Sequence, residues 1–199
     1  MNTREGVRRL AGFADAVVAI AITLLVLPLA DVASQSHGNV GDLLSDHVGQ
    51  LGAFALSFVV IARLWIIHHR MFESVVGYDS VLVQLTMVWL FTVVFLPFPT
   101  ELVANAEGRA VSALYIGTLL ASAMALALTD WWLAAHPRLM EPNVEHELRD
   151  PAWVYPALLA LALVVAVAVP TIGLWALLVL LLVGPLRRIV ARVRSRKGG

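Results

Sequence analysis

Cysteine is absent from the chain, which excludes disulfides, thiolate metal sites and thiol catalysis. Charge is scarce: 14% of the residues are Asp, Glu, Lys or Arg, where soluble domains carry about a quarter. Lys and Arg form no basic domain, so nucleic acid is not an expected partner. G-x-S-x-G, Walker, HExxH and paired-carboxylate motifs are all missing, which speaks against an enzyme and against a bound cofactor. Neither an internal repeat nor a low-complexity tract is present.

Apolar residues are abundant instead. They make up 60% of 199 residues, and the mean hydropathy is +0.83. That is more apolar surface than one soluble core of this length can bury, so lipid is its expected solvent. Six runs approach the ~20 residues that cross a bilayer: 9–30, 50–69, 79–98, 109–134, 152–170 and 172–191. Satisfying backbone polar groups in lipid makes them helices rather than barrel strands. The first run is longer than the ~7–15 residues of a signal-peptide core and contains Asp15, so it reads as a retained helix. The fold class is an all-α integral membrane protein of six transmembrane helices, a single domain over 1–199. Polar loops are expected at 31–49, around Glu73 and Asp79, at Glu101 and Glu107, and at 136–151.

With the N-terminus inside, 13 of the 14 basic residues fall on the cytoplasmic side, and only Arg109 lies outside. This asymmetry places both termini in the cytoplasm of a multi-pass cell-membrane protein. The basic tail from Arg187 to Lys197 is expected near anionic lipid headgroups.

The first helix divides into two faces. At ~100° per residue, Phe13, Ala16, Ile20, Thr23, Leu24 and Leu27 share one stripe, while Asp15 lies ~140° from Ile20. The stripe reads either as ordinary helix packing or as a pore-lining seam. Asp15 is a carboxylate inside the membrane, and such a group faces protein interior. Trp65, His68 and His69 at the end of the antiparallel second helix reach a similar depth, so an Asp–His–Trp hydrogen-bonded cluster is expected. It serves either as a lock between helices or as a proton relay. Adjacent His68 and His69 point ~100° apart and cannot chelate a metal from one face. Asp130, with Trp131 and Trp132, reads as interface anchoring. Gln84, Thr86 and Thr92 are expected to make contacts between helices.

Three segments together resemble one family. R-L-A-G-F-A-D-A-V-V-A-I-A-I-T-L-L-V-L is similar to the first-helix signature, R-x-x-x-F-S-D, of prokaryotic members of the transmembrane protein 175 family, relatives of the lysosomal potassium channel. W-I-I-H-H-R-M-F resembles the end of that family's second helix, and F-L-P-F-P-T-E-L the end of its third. The resemblance covers about the first half of the chain. It implies a homotetramer with the first helices around one central pore, and a potassium-selective, leak-type cation channel with permeating potassium and no cofactor. No TVGYG filter is present here. The implied constriction comprises Ile20, Leu24 and Leu27, with Thr23 a nearby polar site. Arg9, Phe13 and Asp15, with Trp65, His68 and His69, would support the pore helix. The signature serine is Ala14 in this chain, which removes one hydroxyl from that network. The alternative function is a proton-coupled secondary transporter, or a proton pathway, using Asp15 with His68 and His69.

Overall fold

The computed structural model describes residues 4–35, 39–106 and 108–142. It is all-helical, with four helical stretches long and apolar enough to cross a membrane: Arg4–Ser34, Val48–Glu73, Ser80–Asn105 and Arg109–Ala135. These are the first four expected spans. The expected helices 152–170 and 172–191 and the basic tail lie outside the described residues. The observed helices outrun the apolar runs at most ends. Backbone hydrogen bonding continues into polar turns, such as Arg4–Arg9 and Arg70–Glu73, that hydropathy alone leaves out.

Two of the four spans are interrupted, each next to a proline. The first consists of α1 (Arg4–Leu24) and α2 (Leu27–Gln35). Pro28 has no N–H to offer the Leu24 carbonyl four residues back. The chain tightens just before it, with Leu25 N–H on Ile22 O and Val26 N–H on Thr23 O, both at 3.3 Å. Helical bonding resumes with Ala30 N–H on Val26 O at 3.0 Å. After α3 (Val40–Asp46) and α4 (Val48–Glu73), the third span repeats the device with α5 (Ser80–Phe95) and α6 (Pro97–Asn105). There Leu96 N–H takes the Val93 carbonyl at 3.2 Å, the acceptor that Pro97 cannot serve. The fourth span is α7 (Arg109–Ala135).

Two loop expectations are corrected. Residues 31–49 are largely helical: α2 runs to Gln35, and α3 is capped by Asn39, whose side-chain oxygen accepts from Gly41 N–H at 3.3 Å. Glu101 lies within α6, because Pro97 occupies the first helical position, where its missing N–H is harmless.

Packing places α5 against α7 and α1 against α4 and α5. Small residues let the backbones approach: Ala14, Ala21, Ser57, Ser122 and Ala123 are all buried. Thr86 and Thr92 are buried within the bundle. Their hydroxyls donate to their own helix, to Leu82 O at 2.8 Å and Trp89 O at 2.6 Å. Back-bonding of this kind satisfies a threonine without a neighbour. Gln84 is exposed.

At one end of the bundle a short strap joins residues 74–77 to 139–141. Val76 N–H and Gly77 N–H both donate to Leu139 O, at 2.8 and 3.2 Å, and Glu141 N–H donates to Ser74 O at 2.9 Å. Arg4 pairs with Glu141 at 2.9 Å. Asp79 caps α5 through Leu82 N–H at 2.9 Å and accepts from Trp132 Nε1–H at 3.2 Å. The start of α1, the α4–α5 turn and the end of α7 therefore share this end, while Arg109 begins α7 at the other. Trp131 is 64% exposed, as an interface anchor would be.

Gly6 lies where a Cβ would overlap the Tyr78 ring. In a helix, alanine would otherwise gain up to about 1 kcal/mol over glycine. We expect Gly6→Ala to destabilise the wild type and to stabilise a Tyr78→Ala background. Thermal unfolding of the four proteins of the double-mutant cycle should give a coupling of about 1–2 kcal/mol; additivity would show that the approach imposes nothing.

Candidate functional site on the first helix

The first span is held by a narrow seam. Ala14, Val18, Ala21 and Leu25 are buried at 0–4% exposure. Only 17% of its most apolar stretch is buried, against 39–44% in the other spans. The predicted stripe lies on the open side. Phe13, Ile20, Leu24 and Leu27 are among the exposed large apolar residues of the chain, and Ala16, Thr23 and Arg9 are exposed beside them. Ile22, ~200° round the helix from Ile20, packs against the core.

The stripe is divided by the break at Leu25–Val26. Ile20, Thr23 and Leu24 belong to α1, and Leu27 is the first residue of α2. The Thr23 hydroxyl donates to the Ile20 carbonyl at 2.8 Å. Its proton is thereby committed to the backbone, and the oxygen's acceptor capacity is left on the exposed face. The ladder thus carries one side-chain oxygen among alkyl groups.

On the flank towards α4, Asp15 is half-buried, and its Oδ1 accepts from Trp65 Nε1–H at 2.7 Å. The length is that of a charge-assisted bond. His69, one turn beyond Trp65, stacks loosely on that indole with ring centroids 5.1 Å apart. Its Nε2 lies 3.8 Å from a Glu73 carboxylate oxygen. His68 points elsewhere. It is buried, stacked on Trp89 at 4.2 Å and 9° and against Phe72 at 4.3 Å and 26°. Neither of its ring nitrogens, nor Trp89 Nε1, has a hydrogen-bond partner among the described residues.

The expected hydrogen-bonded cluster is therefore a pair, Asp15 with Trp65, and His68 is not in it. Positions 65 and 69 share a helix face while 68 is rotated ~100° from 69, towards α5. Among the described residues, no three His, Asp or Glu side chains gather as metal ligands. Ala14 is fully buried in the seam, where its methyl group needs no polar partner.

Sequence reasoning missed two polar sites. Ser57 meets both the Thr100 hydroxyl at 2.8 Å and the Tyr115 hydroxyl at 3.0 Å, joining α4, α6 and α7. Asp79 with Trp132 ties α5 to α7. The second had a signal: Asp79 directly precedes the apolar run of α5, the place of an N-cap. The first had none, because single hydroxyls in apolar helices mark no particular neighbour.

This architecture defines a multi-span α-helical membrane protein whose first helix carries an open apolar face. The family described as "Endosomal/lysosomal potassium channel TMEM175" matches residues 9–97, the stretch that includes both the stripe and the Asp15–Trp65 pair. A potassium channel of Streptomyces collinus is 32% identical over 142 residues, covering 69% of each chain. A potassium channel of Chamaesiphon minutus is 37% identical over 123 residues, covering 58% of this chain and 60% of that one. The fold matches the crystal structure of a lysosomal potassium-selective channel TMEM175 homolog from Chamaesiphon minutus with a TM-score of 0.74. The identity is 27%, over 92% of this chain and 98% of that one. The chain belongs to the TMEM175 family.

Removing either partner of the Asp15–Trp65 bond leaves the other half-buried and unpaired, at about 1–3 kcal/mol. Asp15→Ala and Trp65→Phe should each lower the yield and melting temperature of the folded protein. The double variant should be little worse than either single one. Full additivity in thermal melts would show that the two side chains act separately.

Proposed function

We propose that this protein is a potassium-selective, leak-type channel of the cell membrane, in which α1 helices from four copies surround one pore. The observation that carries the reading is the exposed stripe of α1, with Ile20, Thr23, Leu24 and Leu27 on a helix whose opposite side is buried. Lipid would accept the alkyl groups equally well. What favours a pore is that the family described as a potassium channel matches this stretch, within residues 9–97. One stripe cannot enclose a pore, so the site is complete only in an assembly. Rings of Ile20, Leu24 and Leu27, spaced over ~10 Å of helix rise, form the constriction and exclude water unless an ion enters. Thr23 supplies the oxygen ligands next to it. Asp15 and Trp65 hold the pore helix at its back, with His69 against the Trp65 ring; Arg9 and Phe13, expected behind the helix, lie instead on the exposed stripe, and His68 packs against Trp89. Each chain is a single domain of six spanning helices. The basic tail rests near anionic headgroups, both termini are cytoplasmic, and the permeating potassium ion needs no cofactor.

A proton-coupled transporter or proton pathway through Asp15, His68 and His69 is the rival reading. No hydrogen-bonded path joins these three among the described residues. Asp15 is engaged by Trp65, and His68 is enclosed by aromatic faces.

Ile20→Asn should hydrate the ring, raise flux for small cations and weaken the preference for potassium over sodium. Ile22→Asn, facing the core, should lower protein yield without opening the pore. Liposome flux for both ions separates the cases. If Ile22→Asn alone becomes leaky and unselective, the pore face is misassigned. If no protein conducts, the channel reading fails.

For topology, tags at either terminus should be protected from external reagents in intact cells, and a tag at residues 36–38 should be reached. A C-terminal tag labelled from outside would overturn the six-helix arrangement.

A further inference from the structure

A cavity of about 230 Å³ lies between the first turns of α1, the last turn of α4 and the strap. It sits at the ends of two membrane spans, the depth of lipid headgroups, at the same end as Arg4, Arg8, Arg70 and Arg138. Its floor belongs to the core: Val7, Phe72 and Val75 are buried. Its rim carries two guanidinium groups, Arg4 and Arg8, and two carboxylates, Glu73 and Glu141.

These four charges are not equally engaged. Arg4 and Glu141 pair at 2.9 Å. Among the described residues, Glu73 pairs only with the His69 imidazole, at 3.8 Å. Arg8 makes no hydrogen bond or ion pair among the described residues. One cation on the α1 wall and one carboxylate on the α4 wall are thus left over, separated in space and cancelling in sum.

We propose that this cavity binds the headgroup of a zwitterionic phospholipid of the phosphoethanolamine type. The phosphate sits at Arg8, the ammonium group at Glu73, and the glycerol end over the apolar floor. The volume is below the ~300–1,000 Å³ of sites for drug-sized ligands, which suits a headgroup whose acyl chains remain in the bilayer. A purely anionic headgroup would leave Glu73 without a positive partner and facing like charge. A choline headgroup has no N–H to donate to Glu73. The bound lipid joins the inner end of α1 to α4, so it reinforces the helix that carries the exposed stripe. The site rests on membrane embedding and not on conduction.

Native mass spectrometry of the full-length protein, given phosphatidylethanolamine, phosphatidylcholine or phosphatidylglycerol with identical acyl chains, tests this directly. Wild type should retain phosphatidylethanolamine above the other two. Arg8→Gln should lower that retention about two- to fivefold, the range an exposed charge pair supplies. Glu73→Gln should lower it similarly and move the preference towards phosphatidylglycerol. Arg70→Gln, on the exposed side of α4 at the same end, should leave retention unchanged. Phosphatidylglycerol retained as well as phosphatidylethanolamine by wild type would overturn the proposal, as would an equal loss in Arg70→Gln. Retention of glycerophosphoethanolamine as strong as that of the lipid would assign the cavity to a soluble phosphate ester, and so overturn the lipid.

Discussion

The rotation of the first helix about its own axis governs the rest of the structure. On one flank it is held by the hydrogen bond from the Trp65 indole to the Asp15 carboxylate. On the next it is held by the close-packed seam of Ala14, Val18 and Ala21. Because Asp15 is ~140° from Ile20, this grip turns the Ile20–Thr23–Leu24 side away from the bundle. A rotation by one residue position would put Ile20 in the place of Ala21, a fully buried position that now holds a single methyl group. The exposed face is thus a consequence of two inward contacts rather than of its own composition.

The membrane limits how those contacts are made. A backbone carbonyl freed by a proline needs another donor, and at Pro97 the chain supplies one locally, Leu96 N–H on Val93 O. Threonines in the middle of the spans bond to their own helices. Among the described residues, hydrogen bonds between spans include Ser57 with Thr100 and Tyr115 towards one end, Asp79 with Trp132 at the other, and Asp15 with Trp65 between them. Elsewhere the helices meet through alkyl and aromatic packing, with His68 stacked on Trp89 between α4 and α5. Such packing fixes helix order strongly and charge placement weakly. At the strap end Arg4, Glu141, Arg8 and Glu73 surround one cavity.

Much of this is legible in the amino-acid sequence by itself. In lipid, an apolar run of sufficient length has one stable outcome, so hydropathy alone locates the four described spans. The period of the α-helix likewise places Ile20, Thr23, Leu24 and Leu27 on one side and Asp15 on another, and burial divides the helix in that way. The distribution of arginines separates the two ends, because charge is tolerated only near them.

Tertiary structure alone decided which neighbour each face meets. Periodicity states which residues share a side; it contains no information about the helix that side packs against, nor about its distance. For that reason Trp65 became the partner of Asp15 while His68, three residues on, turned towards Trp89 instead. For the same reason Thr86 and Thr92 satisfied themselves within α5, and the 31–49 segment proved helical where composition suggested only a polar loop. Ser57, Thr100 and Tyr115 are three ordinary residues in sequence; they form a site because α6 and α7 bring the Thr100 and Tyr115 hydroxyls within 3.0 Å of that of Ser57 on α4. Helix identity and facing follow from local chemistry in an apolar solvent, whereas partner choice depends on distances that only the packed bundle sets.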